Sequence, residues 1–357
     1  MRFEKNTVVF ERSDMYFVKR FGFLEAVRMV EDFRTQHTLP FLYDTYQLGT
    51  FLSLSRKELF SLTRNPEKLY YPVTLTKKNG GARQLHVPFR KLRRVQRWIL
   101  HGILSKLPVS CYATAYRRGC SIKDNASVHC GKPYLLKMDI CDFFGSIRFD
   151  QVYSAVFHSG HFPKHIGVML TSLCCYQERL PQGAPTSPAL SNLVMKHFDD
   201  VMGAWCAKRG ITYTRYSDDL TFSSARPLYG AYIKAKSFLE HLGFEVNEKK
   251  TCFVTNASRQ SVTGILVNES HPTISRQSRR ELRQELYYVE KFGVADAILH
   301  GDRRAFIENG KPQIWRYLNH LEGRLTYMLY IMKDDPMLLD MHSRLRAYRR
   351  SLCEDVY

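Results

Sequence analysis

Three aspartates define the chemistry this chain offers. Tyr213-Thr-Arg-Tyr-Ser-Asp-Asp-Leu-Thr-Phe222 reads as two extended runs meeting at Asp218-Asp219, with neither Gly nor Pro between them. Successive strand residues face opposite sides, so adjacent carboxylates serve one site only where the chain turns tightly. Two like charges there repel unless a cation or solvent screens them, and alone the pair is an ordinary surface turn. A second run, Leu135-Leu-Lys-Met-Asp-Ile140, brings an apolar strand to an end at Asp139. A carboxylate so placed is costly unless paired or metal-bound. Carboxylates from two neighbouring strands meeting at one point suit two Mg²⁺ ions about 3.5–4 Å apart, which activate an attacking hydroxyl and stabilise a leaving pyrophosphate. Asp142 is the alternative ligand, although its position fits a turn cap or a solvent-facing residue better.

A third segment, Leu180-Pro-Gln-Gly-Ala-Pro-Thr-Ser-Pro188, is a Gly/Pro-rich turn leading into a helix, with Ser187 as its cap and Pro188 at its first position. Exposed N–H groups there suit a phosphate or a base pair; read alone it is a common loop.

The positioning elements follow from pattern. Apolar spacing predicts mostly helix from Phe10 to Thr63, including 21–30. Tyr71–Thr76 and Ala82–Val87 read as strands joined by Lys77-Lys-Asn-Gly-Gly81, a hairpin with a basic tip. From Leu92 to Leu104 one helical stripe is apolar (Leu92, Val95, Ile99, Ile103) and the other basic. Strands are predicted at Tyr134–Asp139, Ile211–Tyr216 and Leu220–Ser223, with helices from about Phe149 and from Pro188 to Lys208. The mixture predicts an α+β, palm-like core. The stretch from Ser275 onward reads as basic helix, with Arg276, Arg279, Arg280 and Arg283 early and Arg344, Arg346, Arg349 and Arg350 late. These are solvated helix faces or a lining for phosphates.

With 357 residues, two or three subdomains are expected. A hydrophobic share of 44% and a charged share of 24% exclude collagen-like, low-complexity and wholly disordered chains. A net charge of +19 favours a polyanionic partner, nucleic acid ahead of a membrane surface. No apolar run is long enough to span a bilayer and no secretion signal stands out, so no membrane role is expected. Nine cysteines without CxxC pairs read as free thiols in a reducing cytoplasm.

The order of these elements resembles the right-hand polymerase core of reverse transcriptases: the Asp139 strand, Gln182-Gly183 before a helix, the Tyr216-Ser-Asp-Asp219 turn, then Gly243-Phe-Glu-Val-Asn-Glu-Lys-Lys-Thr251. The family pattern is Tyr-x-Asp-Asp, most often with Ala at x in bacterial members; Ser217 is a small substitute. The resemblance, spanning about Tyr71 to Asn268, implies an α+β fold of fingers, antiparallel palm sheet and helical thumb. It divides the chain into an N-terminal helical region packing on the fingers (1–70), a fingers/palm core (71–268) and a basic helical thumb (269–357). It implies metal ligation by Asp139, Asp218, Asp219 and the Ile140 carbonyl, and a triphosphate clamp from Lys77 and Arg83. Phe144 corresponds to the steric gate against a 2′-OH, Gln182 and Gly183 to the lining of the nascent base pair, and Lys250 to the acid that protonates pyrophosphate, with Lys249 adjoining it. Against this, Lys77 and Arg83 read as solvated hairpin charges and Phe144 as plain core.

Asn125-Ala-Ser-Val-His129 and Val262-Thr-Gly264 are similar to the Asn-Ala-x-x-His and Val-Thr-Gly elements of retron reverse transcriptases. Group II intron proteins usually carry more chain after the thumb, and diversity-generating elements tend to replace the Gln-Gly-x-x-x-Ser-Pro pattern kept here. Retron membership implies a bacterial, cytoplasmic RNA-directed DNA polymerase that binds a cognate structured noncoding RNA and copies it with deoxynucleoside triphosphates and two Mg²⁺ ions. It further implies priming from a guanosine 2′-OH, RNA contacts through Asn125, His129, Val262, Thr263, Gly264 and the Arg276–Arg283 helix, and an effector or toxin partner in antiphage defence.

Overall fold

The computed structural model describes residues 2–4, 7–9, 39–76, 80–158, 160–301 and 303–354, with isolated positions between 19 and 29. The expected helix over 21–30 and the tip residue Lys77 therefore fall largely or wholly outside the described residues. The chain opens on a short hairpin, β1 (Arg2–Glu4) with β2 (Thr7–Val9), which the helical expectation for the N-terminal region did not foresee. Helices α1 (Thr45–Leu52) and α2 (Arg56–Arg64) follow, each begun by a side-chain cap, Asp44 and Ser55.

Strands β3 (Tyr70–Thr76) and β4 (Ala82–Pro88) pair antiparallel with Leu75 opposite Arg83, and helix α3 (Arg90–Gly102) buries Leu92, Val95, Gln96 and Ile99. After α4 (Ile122–Ser127) comes β5 (Tyr134–Asp139), whose apolar run is almost wholly buried. The helix expected from Phe149 is only a turn, Phe149–Val152, continued by a π-type turn to Phe157. Helix α5 (Lys164–Cys174) follows. The helix expected from Pro188 to Lys208 is two, α6 (Ser187–Val194) and α7 (Lys196–Ala207), joined at Met195. Thr186, not Ser187, holds the cap position, because the Ser187 hydroxyl donates to the Pro181 carbonyl (2.7 Å) and locks the loop instead.

Strands β6 (Thr212–Tyr216), β7 (Asp219–Ser224) and, after α8 (Tyr229–His241), β8 (Cys252–Thr255) complete a four-stranded sheet in the order β6-β7-β5-β8. A minimal hairpin, β9 (Ser261–Val262) and β10 (Ile265–Leu266), leads to α9 (Arg276–Phe292), α10 (Val294–His300), α11 (Ile314–Ile331) and α12 (Pro336–Glu354).

The chain forms two compact units. One comprises Met1–Cys120, Leu136–Phe222 and Leu228–Cys252; the other Ser121–Leu135, Ser223–Pro227 and Phe253–Tyr357. In the second, one core gathers Val262 and Ile265 from the minimal hairpin, Leu282, Leu286 and Val289 from α9, and leucines of α11 and α12. The 3.6-residue spacing of Leu282, Leu286 and Val289 makes that helix one-sided, and the one charge it buries, Glu285, is paired with Arg303 and Arg324. All nine cysteines are free, and among the described residues no helix is long and apolar enough to cross a membrane.

Candidate active site

The carboxylate turn is built from beneath. Alternation along β6 sends Tyr213 and Arg215 inward, and the Arg215 side chain is fully buried against Asp199, itself fully buried. Its guanidinium donates to both Asp199 oxygens (Nε 2.9 and 3.1 Å, Nη2 2.6 Å), to Asn192 Oδ1 (3.1 Å) and, through Nη1, to the Ser217 carbonyl (3.0 Å). Tyr213 donates its hydroxyl to the same carboxylate at 2.8 Å. An unpaired charge here would be prohibitive; a bidentate pair with further donors is tolerated.

Ser217, the first of the two residues joining β6 to β7, has φ of +62°. A left-handed non-glycine costs on the order of 1 kcal/mol and persists only where surroundings fix it. Arg215 fixes its carbonyl, and its hydroxyl lies 3.1 Å from the Tyr116 hydroxyl. The result brings Asp218 beside β5: the Ile140 N–H donates to the Asp218 carbonyl at 3.1 Å. Arg215, Asp199, Asn192 and Tyr116 escaped the sequence reading. The one available signal was a charged residue at an inward position of a buried strand.

Asp139 receives Lys250 Nζ on Oδ1 at 2.8 Å and Asn247 Nδ2 on Oδ2 at 3.2 Å, while the Asn247 N–H donates to the Asp139 carbonyl at 2.8 Å. That bond to Asp139 raises the Lys250 pKa and keeps the ammonium protonated. Desolvation, then the like charges of Asp218 and Asp139, raises the Asp219 carboxyl to about 6. Because Asp219 is an exposed residue, the repulsion among the three carboxylates is the firmer of the two causes.

Asp139, Asp218 and Lys250 face a cleft of about 480 Å³ that Arg83, Ile140, Phe144 and Gln182 also line, among others; Asp219 follows Asp218 at the start of β7 and is not one of the lining residues. Tyr116, Ser217 and Asn247 line it too. Phe143 is buried, whereas Phe144 is only partly covered and turns to the cleft. Gln182 is tied to the β3–β4 hairpin, its carbonyl accepting the His86 N–H at 2.7 Å. Gly183 has φ of +120°, and a Cβ there would meet the His86 carbonyl oxygen at 3.0 Å, so the close approach of loop and hairpin requires glycine. Asp142 lines the cleft as an exposed residue but makes no side-chain cap bond, so the capping reading is replaced by the solvent-facing one.

Among the described residues no three carboxylate, imidazole or thiol groups already converge as a metal cluster. The donor chemistry nevertheless fits a hard divalent cation: three mutually repelling carboxylates, and an Ile140 carbonyl that no backbone donor claims among the described residues. Asp139 has only to exchange its lysine for the ion.

The other predicted contacts fall elsewhere, all in the second unit. Asn125, His129 and Val262 are at most 1% exposed. His129 Nδ1 lies 2.7 Å from the Ser223 hydroxyl. Their side chains therefore offer no surface to RNA; a role as direct RNA contacts is corrected to one of internal framing. Thr263 and Gly264, at φ of +47° and +85°, form the two-residue turn of the minimal hairpin, with Val262 paired to Ile265 in the core. Two successive positive φ values call for Gly at one of them. On α9, Arg276, Arg280 and Arg283 are exposed, but Arg279 is half-buried and paired with Asp335 at 3.3 Å, a fold contact and not a free cation.

The fold and cleft are those of a right-hand polymerase, and residues 75–286 match the family model described as reverse transcriptase (RNA-dependent DNA polymerase). The chain belongs to that family and is an RNA-directed DNA polymerase. Within it the chain is a retron-type member. It is 32% identical over 273 residues to the retron Ec86 reverse transcriptase of Escherichia coli, covering 74% of this chain and 84% of that one. It is 34% identical over 292 residues to the retron Mx65 reverse transcriptase of Myxococcus xanthus, covering 75% of this chain and 63%, under two thirds, of that one. Reverse transcriptases generally use divalent metal ions.

Proposed function

We propose that this enzyme copies part of a cognate structured noncoding RNA into DNA, beginning from the 2′-OH of an internal guanosine and so producing DNA branched from RNA. The observation that carries the reading is the single cleft in which Asp139, Asp218 and Lys250 meet Arg83, Phe144 and Gln182. Two Mg²⁺ ions held by Asp139, Asp218, Asp219 and the Ile140 carbonyl would supply the activated hydroxyl and the charge stabilisation at pyrophosphate.

The protein's own groups do the rest. Arg83, with Lys77 at the hairpin tip, grips the triphosphate of the incoming deoxynucleotide. Phe144 fills the space a 2′-OH would need, and Gln182 and Gly183 support the new base pair. Lys250, held protonated beside Asp139, gives its proton to the departing pyrophosphate. Because the attacking group is first a 2′-OH and then a 3′-OH, selection rests on in-line placement of the hydroxyl. In this reading residues 1–70 pack on the fingers, 71–268 form fingers and palm, and 269–357 form a thumb that grips RNA stems by shape and phosphate contacts. The enzyme works in the bacterial cytoplasm, with an effector or toxin protein, in defence against phage.

The test is to purify the protein expressed with its native flanking DNA, beside Asp218→Asn, and run the bound nucleic acid on a denaturing gel before and after RNase and DNase. A DNase-sensitive species that shortens with RNase and is missing from Asp218→Asn is expected. RNA alone in both preparations would overturn the reading.

A further inference from the structure

The turn that carries Phe144 is held from behind by a second turn, Tyr176–Arg179, which is not among the lining of the cleft. Phe144 lies in one helical turn, Phe143–Ser146, entered at Asp142 with φ of +38°. Phe143 is buried and anchors one side of that turn, whereas Phe144 is only partly covered. On the other side the Gly145 carbonyl accepts Arg179 Nη1 at 2.6 Å. A Cβ on Gly145 would collide with the Asp142 carboxylate, so the turn closes tightly at the accepting residue. An ionised donor makes a short, strong bond of this kind. Arg148, bridged to Arg179 through the backbone, spends its charge on Asp150. Among the described residues no carboxylate pairs with Arg179, whose side chain turns to Gly145 instead.

The second turn is built to aim that guanidinium. The Arg179 N–H donates to the Tyr176 carbonyl at 3.0 Å, and its carbonyl accepts the Tyr176 N–H at 2.9 Å. Between them Gln177 and Glu178 have φ of +48° and +58°. Two successive left-handed residues without a glycine are strained and persist only where the surroundings fix them. The segment after Phe144 supplies one hold: the Glu178 carbonyl accepts the Phe149 N–H at 2.8 Å, and the Ile147 carbonyl accepts the Leu180 N–H at 3.1 Å. Strand β4 supplies the other, since the His86 ring stacks on Tyr176 with centroids 4.5 Å apart at 26°. His86 also gives its N–H to the carbonyl of Gln182, three residues beyond Arg179. Strained backbone, bridging bonds and ring stack thus direct one exposed arginine at the residue that follows Phe144.

We propose that Arg179 is a positioning residue for sugar selection: its bond to the Gly145 carbonyl holds Phe144 where the ring collides with a 2′-OH. A side chain that excludes a single oxygen atom has to be kept within about 0.5 Å of its place. Freed from the guanidinium, the turn lets the ring retreat and a ribonucleotide enter. The inference rests on the reading of Phe144 as the steric gate and adds what keeps that gate shut; it does not depend on branched priming.

The test is incorporation of one nucleotide on an RNA template with a DNA primer, measured as kcat/KM for dGTP and for GTP. The full chain is compared with Arg179→Ala, Arg179→Lys, Phe144→Ala and the pair Phe144→Ala/Arg179→Ala. Arg179→Ala should lower the preference for dGTP about tenfold, short of the roughly hundredfold effect of a 1 Å misplacement. The change should come mainly from a lower KM for GTP. Arg179→Lys, which keeps a charged donor, should recover most of the preference. Phe144→Ala should lose more than Arg179→Ala, and the pair should lose no more than Phe144→Ala, because Arg179 acts through the ring. A merely structural role would lower the melting temperature and slow both nucleotides alike, and an unchanged preference in Arg179→Ala would overturn the proposal. So would losses that multiply in the pair. In both cases a lowered preference in Phe144→Ala leaves the gate standing, whereas an unchanged preference in Phe144→Ala removes the gate and the proposal with it.

Discussion

The aspartate turn and the Asn125–His129/Val262–Gly264 region are the two segments whose residue types say most about this chain, and they sit in opposite environments. At the turn, carboxylates are held close against their repulsion and opened to a cleft. In the second unit Asn125, His129 and Val262 are buried, His129 on Ser223 and Val262 against Ile265, and only the turn residues Thr263 and Gly264 reach the surface. The first region is specified by chemistry that reaches solvent and the second by packing that excludes it. Substitutions at the turn should therefore remove activity and spare the fold, whereas those in the signature region should lower stability first.

The largest effect separates support from chemistry. Asp218→Asn should reduce nucleotide incorporation by about a hundred- to a thousandfold, the scale seen when one group that stabilises transition-state charge is lost. Melting temperature and RNA affinity should not change. Arg215→Met should instead leave Asp199 as a buried uncompensated charge and destabilise the protein by about 3–5 kcal/mol. Adding Asp199→Leu should restore much of that stability in denaturant unfolding. It should not restore polymerisation, because the Ser217 carbonyl has still lost its donor and the turn its hold. Full activity in the double variant would break the link between the buried pair and the turn.

The signature region should register pH. Desolvation, and then the charge of Lys132, depress the His129 pKa to about 3. An unfolded chain takes up a proton near pH 6.5 that the folded imidazole refuses. Above that pH both states are neutral and His129 contributes no slope. Below it, stability falls as pH falls toward 3, by about 1.4 kcal/mol per unit, or about 2 kcal/mol by pH 5. His129→Gln should be less stable at pH 7.5 by about 1–3 kcal/mol, having lost the bond to Ser223. Its melting temperature should also decline less steeply from pH 7.5 to 5 than the parent's. Equal slopes would place His129 outside the buried frame.

The same contrast explains what the sequence made legible. The β5 strand and the Asp218-Asp219 turn could be read because a carboxylate closing an apolar run is costly unless it is paired or binds a cation, and the β3–β4 hairpin because Gly80-Gly81 follows an alternating strand. The ion pair beneath the turn could not, since Arg215 and Asp199 come from a strand and a helix whose packing no local pattern encodes. Helix ends failed for a related reason. Pro188 marks a start correctly, but whether Ser187 caps the helix or binds Pro181 depends on where the loop folds back. Burial of Asn125 and His129 was hidden in the same way: the sequence supplies polar residue types, and only tertiary structure says which side they face.

The smallest effects divide the arginines of α9 along the same line. Arg280→Ala removes an exposed cation and should weaken binding of the cognate RNA a few-fold, reduce the salt slope by somewhat under 1, and leave melting unchanged. Arg279→Ala removes a half-buried partner of Asp335. It should lower stability by up to about 1 kcal/mol and leave the salt slope as it was. The two positions are neighbours in sequence and carry the same charge, so net electrostatics cannot separate them; only the presence of Asp335 can. Asp335→Asn supplies the control, since freeing Arg279 should bring its substitution closer to that of Arg280 in both measurements. If Arg279→Ala flattened the salt dependence as much as Arg280→Ala with Asp335 intact, the ion pair would be an incidental surface contact, and the whole stripe would belong to the RNA.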